Sequence, residues 1–416
     1  MDPGFRQGDI LSGPVCPCSL KKGNYTPIMK KPNCMTSVRS CWRLLPGLLL
    51  LLLSSPGTAD EVLDQKLGKL DPDEKTRWYD IAQLNLEGRG WTQTEAFYDR
   101  LPAKAKGVVR DPVWKLSHDS AGMCVRFVTD ATSIQARWSV RSENLALVHM
   151  PATAVSGLDL YVKTENGRWR WLSVGRPTKY PANSGELVKD LPAGKREYLL
   201  YLPLYNGVHS VELGLPKDSL LAKAGPWSSG ISKPIVFYGT SITQGGCASR
   251  PGMVHTAILG RQLNCPVINL GFSGNGKMEP EMANLLAELD PAAYSLDCLP
   301  NMTAAEVTER VEPFVRTLRK AHPKTPIVLV EDRSYTDSFL VSSKRQRNLE
   351  SRAALRAAYE RLLAAGTQGL HYLPGEDLLG DDGEGTVDSS HPTDLGFMRQ
   401  SDAFRPVLEK ILRTEK

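Results

Sequence analysis

The sequence lacks both a long hydrophobic run and a large charge of one sign. Its main apolar run, residues 44–53, is interrupted by Pro46 and Gly47 and is too short to span a bilayer comfortably. The formal net charge of +5 arises in the first 59 residues, which hold seven of the 51 Lys and Arg residues and two of the 46 Asp and Glu residues. The rest of the chain is therefore neutral. We expect no stable membrane anchor and no nucleic-acid partner.

The apolar run instead matches the central part of a secretory signal peptide. Arg39 and Arg43 precede it, small residues follow it, and Met35 would give the leader a conventional positively charged start. We predict cleavage after Ala59, which makes the protein secreted or periplasmic. No lipid-accepting cysteine stands at that point, so lipoprotein anchoring is not expected.

Four cysteines lie outside the predicted leader, and their spacing is unlike a zinc site. In an oxidising compartment they could form two disulfides, in three possible pairings. All four also stand in or beside apolar segments, where free thiols are commonly buried. Both alternatives stay open. The four are Cys124, Cys247, Cys265 and Cys298.

Short alternating strands dominate residues 122–215 and predict an antiparallel β-sandwich. Asn166-Gly167 and Asn206-Gly207 predict tight hairpin turns. The expected strands are residues 123–128, 134–140, 158–163, 169–174, 198–202 and 210–215. The resulting predicted organisation is a leader at 1–59, the β-sandwich domain at 60–218, a linker at 219–232 and a second domain at 233–416.

The second domain alternates strands and helices. Thr303 is the predicted N-cap of its first long helix, which His322-Pro323 should end. Five buried β-type runs alternating with helices predict a parallel, doubly wound sheet, in which ligands bind beyond the carboxyl ends of the strands. The expected strands are residues 235–238, 267–270, 294–299, 327–330 and 370–373.

Chemically active residues follow the first three of these strands. Ser241 ends the first, a glycine-rich turn with Gly274 follows the second, and Asn301 follows the third. Near the carboxyl terminus, Asp388 stands three residues before His391. A serine hydroxyl is a poor nucleophile until an imidazole takes its proton, and a carboxylate must hold that imidazole in the right tautomer. Each motif alone would also fit an ordinary turn, but their combination predicts a serine hydrolase with Ser241, His391 and Asp388 as catalytic residues.

In this order, Ser241, Gly274, Asn301 and His391 resemble the four blocks of the SGNH (GDSL-type) hydrolases, over residues 233–416. Gly-Thr-Ser-Ile at 239–242 stands where the family often has Gly-Asp-Ser-Leu. The third block departs more, since Leu-Pro-Asn-Met at 299–302 lacks the Gly and the second Asp of the usual Gly-x-Asn-Asp. Upstream, Gly-Leu-Asp-Leu-Tyr at 157–161 resembles the Gly-x-Asp-Leu-Tyr signature of an N-terminal domain found in one branch of SGNH esterases.

The resemblance implies a flavodoxin-like sheet and a reaction that needs no metal or organic cofactor. It also implies that the backbone N–H groups of Ser241 and Gly274 and the side-chain amide of Asn301 form the oxyanion hole. Asp381, Asp382 and Glu384 lie in the same loop as Asp388, but only Asp388 has the matching offset from the histidine. His255 and His371 are interpreted as structural, on a helix surface and a strand.

The polar residues near the motifs suit a polyhydroxylated substrate, and Gln244 and Arg250 are the predicted substrate contacts. We therefore predict hydrolysis of short acyl esters, in particular acetyl esters, on a carbohydrate. One alternative is an esterase of the lipase or lysophospholipase type. The polar residues are Gln244, Arg250, Asn275, Lys277 and Glu279.

A second alternative is a catalytically inactive, secreted glycan-binding protein that would use Trp138, Trp169 and Trp171. Trp169 and Trp171 should face the same side of one strand. We interpret that side as a core face rather than a sugar platform.

Overall fold

The computed structural model describes residues 61–414. The predicted leader, its start and its cleavage site lie outside these residues. Among the described helices, none is both long and apolar enough to cross a membrane.

Two antiparallel sheets pack face to face in the amino-terminal half, which confirms the predicted β-sandwich. The seven strands of the first sheet are β1 (Glu61–Val62), β4 (Leu86–Glu87), β5 (Cys124–Thr129), β7 (Leu158–Lys163), β8 (Trp169–Gly175), β10 (Arg196–Tyr201) and β12 (Leu221–Lys223). The five strands of the second sheet are β2 (Lys69–Leu70), β3 (Thr76–Asp80), β6 (Ile134–Val140), β9 (Ala182–Val188) and β11 (Val208–Pro216). The first sheet runs in the order β1-β12-β5-β10-β7-β8, with β4 beside β5, and the second in the order β2-β3-β11-β6-β9.

Strand β7 shows how the first sheet buries both of its faces. Leu158 and Leu160 point into the sandwich core, where the rings of Phe127 and Tyr198 stack 5.4 Å apart. The alternate residue Tyr161 points the other way, into a second apolar cluster shared with the carboxyl-terminal half. Because side chains alternate along a strand, one short segment contributes to both clusters. The sandwich is therefore packed directly against the rest of the protein.

The carboxyl-terminal half is built on a parallel sheet in the order β14-β13-β15-β16-β17, which is the predicted flavodoxin-like arrangement. Its strands are β13 (Ile235–Gly239), β14 (Val267–Gly271), β15 (Ala293–Asp297), β16 (Ile327–Val330) and β17 (Leu370–Leu373). The α-helices of the described chain are α1 (Asp111–Leu116), α2 (Ala152–Val155), α3 (Ser241–Gln244), α4 (His255–Leu263), α5 (Pro280–Leu286), α6 (Ala304–Ala321), α7 (Ser342–Ala364) and α8 (Asp394–Thr414).

Helix α6 begins where the sequence predicts. The Thr303 hydroxyl accepts the backbone N–H of Glu306, and the Glu306 carboxylate accepts the backbone N–H of Thr303, which forms a capping box. The buried residues of the helix recur at helical spacing. They pack against the sheet, where the Phe314 ring stacks 5.5 Å from Tyr238.

One prediction for the sandwich is wrong in detail. Asn206-Gly207 does not form a hairpin, because β10 and β11 belong to different sheets. The Asn206 amide instead donates to the Ser142 carbonyl and the Ser156 hydroxyl, holding a loop of the sandwich. Within the predicted linker, β12 pairs with both β1 and β5.

The described cysteines are free and buried. Burial raises the pKa of the Cys265 thiol to about 12. Burial also raises the pKa of the Cys247 thiol to about 12, with a further contribution from the negative charge of Asp388. The structure therefore has the buried thiols that the sequence left as one of two alternatives.

Candidate active site

The structure brings Ser241, His391 and Asp388 into one hydrogen-bonded chain. Ser241 Oγ lies 2.7 Å from His391 Nε2, and His391 Nδ1 lies 2.8 Å from Asp388 Oδ2. Ser241 follows β13 directly, whereas the other two residues lie in the loop between β17 and α8. In this arrangement the imidazole can take the hydroxyl proton, and the carboxylate can stabilise the resulting positive charge.

The Asp388 carboxylate is fixed in place by its own loop. Its Oδ1 accepts the backbone N–H groups of Ser390 (3.1 Å) and His391 (2.8 Å), which leaves Oδ2 for the imidazole. Burial alone would raise the pKa of Asp388, but the hydrogen bonds from the backbone and ring of His391 outweigh it and lower that pKa. The carboxylate is therefore ionised at neutral pH and can orient the ring.

Ser241, the candidate nucleophile, is the first residue of the short helix α3. The Thr240 hydroxyl caps this helix by accepting the backbone N–H of Ile242. The Ser241 carbonyl accepts the N–H groups of Gly245 and Gly246 and, from the sandwich, the hydroxyl of Tyr205 at 3.2 Å. The backbone around the serine is thus held by both halves of the protein.

The glycine turn after β14 and the Asn301 turn after β15 meet beside the serine. The Gly276 N–H donates to Asn301 Oδ1 at 3.3 Å, which leaves the Asn301 NH₂ group free to donate elsewhere. A side chain at Gly276 would lie 2.1 Å from the Gly239 carbonyl, so only glycine allows this approach. Within the described residues, the Gly274 N–H has no protein acceptor. These donors can bind an oxyanion.

Arg347 on α7 binds the backbone of the Asn301 turn. Its guanidinium donates to the Pro300 carbonyl at 2.9 Å and to the Asp332 carboxylate at 2.9 Å. Beside this turn, Asp297 and Arg333 form a fully buried two-point ion pair of 2.6 and 2.5 Å. Sequence reasoning missed both arginines, since no local pattern distinguishes them from solvated helix or loop residues.

Gln244, a predicted substrate contact, is fully buried. Its NH₂ group donates to the Asp119 carboxylate at 2.9 Å and to the Leu204 carbonyl, while its Oε1 accepts the Ser273 N–H at 2.9 Å. All of its hydrogen-bonding groups are therefore used inside the protein. Its position does not support the predicted substrate contact, and its side chain instead joins the glycine turn to helix α3.

Arg250, the other predicted substrate contact, joins the two halves of the protein. Its guanidinium donates to Asp159 at 2.9 Å and to the Tyr161 hydroxyl, and it lies 5.1 Å from the centre of the Trp171 ring. The fully buried Asp159 also accepts the Gly252 N–H at 2.8 Å and the Trp171 indole N–H at 3.0 Å. The Gly-x-Asp-Leu-Tyr segment thus anchors the sandwich to the loop after helix α3. The Arg250 guanidinium is bound to Asp159 and Tyr161, and its position does not support a substrate contact.

The other polar residues that suggested a sugar site also interact with protein side chains. Arg110 donates to the side chains of Asn275 and Glu279 at 2.7 and 2.6 Å. Lys277 lies 3.8 Å from the Glu306 carboxylate. The composition around the motifs therefore reflects internal ion pairs and hydrogen bonds.

The tryptophans do not form a shared binding face. Trp138 is buried in the sandwich core. Trp169 is partly buried against Trp227, 6.1 Å between ring centres. Trp171 is 49% exposed, so the prediction of a core face is wrong for this residue. It lies at the edge of the second apolar cluster, where its indole N–H donates to Asp159 and the Arg250 guanidinium lies over its ring.

His255 lies in the protein interior and not on the helix surface that the sequence predicts. It is fully buried, its ring stacks 5.9 Å from Phe397, and neither ring nitrogen has a hydrogen-bond partner in the described chain. Burial, with a smaller contribution from the charge of Arg333, lowers its pKa, so the ring stays neutral. The described residues contain no cluster of three potential metal ligands.

Replacing Asn301 with alanine should lower kcat about 10²- to 10³-fold, because one preorganised oxyanion donor is lost. Steady-state kinetics on a soluble acetyl ester measures the effect. Asn166→Ala is the control, since its side chain lies in the exposed turn between β7 and β8 of the sandwich. A wild-type kcat for Asn301→Ala would remove this residue from the oxyanion hole.

Two protein-family models match this chain. Residues 232–409 match the model of the GDSL-like lipase/acylhydrolase family, and residues 76–221 match the model of the GxDLY N-terminus of SGNH-hydrolase-type esterases. No curated protein matches the chain.

Solved structures share the whole two-part architecture. A protein from Bacteroides ovatus, named as a GDSL-like lipase, is 36% identical with a TM-score of 0.76, over 81% of this chain and 98% of that one. A salicylyl-acyltransferase from a tetracycline biosynthetic pathway is 21% identical with a TM-score of 0.61, over 85% and 98%. A family two carbohydrate esterase from Cellvibrio japonicus is 14% identical with a TM-score of 0.51, over 82% and 99%. The last two show a shared fold alone, whereas the first, together with the family models, shows that this chain belongs to the GDSL-like (SGNH) hydrolase family and is an ester-hydrolysing serine hydrolase.

Proposed function

We propose that the protein hydrolyses short acyl esters, in particular acetyl esters on a carbohydrate, through Ser241, His391 and Asp388. The observation that carries the proposal is the hydrogen-bonded chain from Ser241 Oγ through His391 to Asp388 at the carboxyl end of the parallel sheet. Ligands of such sheets bind at that end.

In the proposed reaction, Ser241 Oγ attacks the ester carbonyl carbon while His391 Nε2 takes its proton. The carbonyl oxygen becomes an oxyanion and accepts the N–H groups of Ser241 and Gly274 and the amide of Asn301. His391 then protonates the alcohol oxygen as the bond to the acyl carbon breaks. Water, deprotonated by His391, then attacks the acyl carbon. The bond from this carbon to Ser241 Oγ breaks, the carboxylic acid leaves, and His391 returns the proton to Ser241 Oγ.

The closeness of the two oxyanion turns supports a small acyl group. The hydrogen bond from Gly276 to Asn301 joins the turns directly, and the adjacent Met302 is fully buried in the core. A long chain would have to displace these contacts. The shared fold with a carbohydrate esterase is consistent with a sugar as the alcohol, at the level of fold analogy.

A lipase-type activity is the second candidate, because an exposed apolar loop lies beside the catalytic histidine loop. Phe339 and Leu340 are each 79% exposed. Their loop is joined to the histidine loop by the Thr336 N–H, which donates to the Ser389 carbonyl at 3.1 Å. Such side chains could contact a long acyl chain, since each buried methylene contributes about 0.8 kcal/mol.

A series of acyl esters with one common alcohol separates the two candidates. We expect kcat/KM to fall steadily from acetyl to butyryl to octanoyl, because added methylenes would have to displace the contacts between the oxyanion turns. A kcat/KM that stays constant or rises at octanoyl would reject the acetylesterase proposal and favour a lipase-type enzyme. The variant Phe339→Ser is the matched probe, since it should weaken octanoyl turnover only in the second case.

We also propose that the protein is exported, on the basis of the Arg-flanked apolar run at residues 44–53. Amino-terminal sequencing of protein recovered from its native host should give a first residue at or within a few positions of Asp60. An intact leader on soluble cytoplasmic protein would contradict this proposal.

A further inference from the structure

A loop of the β-sandwich reaches the catalytic histidine. The ring centre of His149 lies 6.3 Å from that of His391, with 37° between the ring planes. His149 is exposed, and among the described residues its ring has no hydrogen-bond partner. An imidazole from the sandwich therefore stands next to the candidate catalytic base with its polar atoms free.

The tip of this loop is firmly positioned. Leu147 and Met150 exchange backbone hydrogen bonds of 3.0 Å in both directions, which closes a tight turn with Val148 and His149 at its end. Met150 is buried in the cluster between the two halves of the protein.

The residues after the turn tie the loop to the catalytic half. The Thr153 hydroxyl donates to the Ser249 carbonyl at 2.7 Å. Ser249 in turn donates its hydroxyl and its N–H to the carboxylate of Asp394, three residues after His391. His149 is thus presented to the active site by contacts that do not involve its own side chain.

The reaction geometry indicates which part of a substrate His149 faces. The acyl oxygen must lie toward Gly274 and Asn301, whereas the leaving alcohol must lie within reach of His391, which protonates it. A side chain beside His391 therefore borders the alcohol. A neutral imidazole both donates and accepts one hydrogen bond, which suits a neighbouring hydroxyl group.

We propose that His149 determines specificity for the alcohol part of the ester by hydrogen bonding to hydroxyl groups of a polyhydroxylated alcohol. This inference rests on the proposed esterase function. It also gives the sandwich a direct part in substrate selection, through one loop rather than through a separate binding face.

The test compares two acetyl esters, a monoacetylated methyl glucoside and ethyl acetate, on the wild type and on His149→Ala. One hydrogen bond corresponds to about a tenfold change. We expect His149→Ala to lower kcat/KM for the glucoside ester about tenfold, mainly through KM, and to leave ethyl acetate within about twofold. His149→Asn, which keeps a donor and an acceptor, should recover part of the loss. His209→Ala, an exposed histidine on β11, is the matched control and should change neither substrate.

Three results would each overturn the inference. They are an equal loss of kcat/KM on both esters in His149→Ala, no loss of kcat/KM on either ester, and no hydrolysis of the glucoside ester by the wild type. Reaction of Ser241 with a fluorophosphonate is measured in parallel. If the wild type is labelled at Ser241 and hydrolyses ethyl acetate, such results reject only the role of His149. If the wild type neither hydrolyses an ester nor reacts at Ser241, the proposed function fails with it.

Discussion

Replacing Ser241 with alanine should reduce kcat for ester hydrolysis by about 10⁴-fold or more, the largest effect that we expect of any single substitution. Without the hydroxyl no acyl-enzyme can form, and His391 has no nucleophile to activate. The residual rate should come only from binding and the oxyanion donors.

The substitution should leave the fold intact, so the loss can be assigned to chemistry. Tyr205, Gly245 and Gly246 bind the backbone carbonyl of Ser241, and none of them contacts its hydroxyl. Thermal unfolding of the variant and of the wild type checks this. Ser338→Ala, in the neighbouring loop, is the control and should retain wild-type kcat. A folded Ser241→Ala protein with normal turnover would reject the triad.

Replacing Asp388 with asparagine should lower kcat about 10³- to 10⁴-fold, the second largest expected effect. Asparagine has nearly the same shape and can still accept the backbone N–H groups of Ser390 and His391. It carries no charge, so it neither stabilises the imidazolium nor selects the correct tautomer of His391.

Asp382→Asn is the matched control because this residue lies in the same loop and pairs with Arg399 at 2.7 Å. It should change kcat by less than about twofold, since a surface pair of this kind contributes little. If Asp382→Asn lowers kcat as much as Asp388→Asn does, or if Asp388→Asn keeps the wild-type kcat, the orienting carboxylate has been assigned to the wrong residue.

The sequence predicts those parts of the fold that local patterns determine. Residues 134–140, 158–163, 327–330 and 370–373 form strands with the predicted bounds, and Thr303 caps the helix as expected. The candidate catalytic residues could be grouped for a related reason. They follow strands of one parallel sheet, whose carboxyl ends meet at the same edge whatever the details of packing.

The sequence does not predict contacts between the two halves. Gln244 and Arg250 look like free polar residues after a nucleophile, yet their partners Asp119 and Asp159 lie 125 and 91 residues earlier in the chain. Strand β9 was missed because its Asn, Ser and Gly residues have little strand preference, and it is held by pairing with β6. The position of His149 beside His391 likewise depends on how the sandwich packs.

The most direct test of the catalytic assignment is the site at which a fluorophosphonate probe attaches to the protein. Peptide mass spectrometry of the labelled wild type should find one modified residue, Ser241, and Ser241→Ala should remain unlabelled. Attachment at another serine, or no attachment to a protein that hydrolyses esters, would contradict the assignment of Ser241 as the nucleophile.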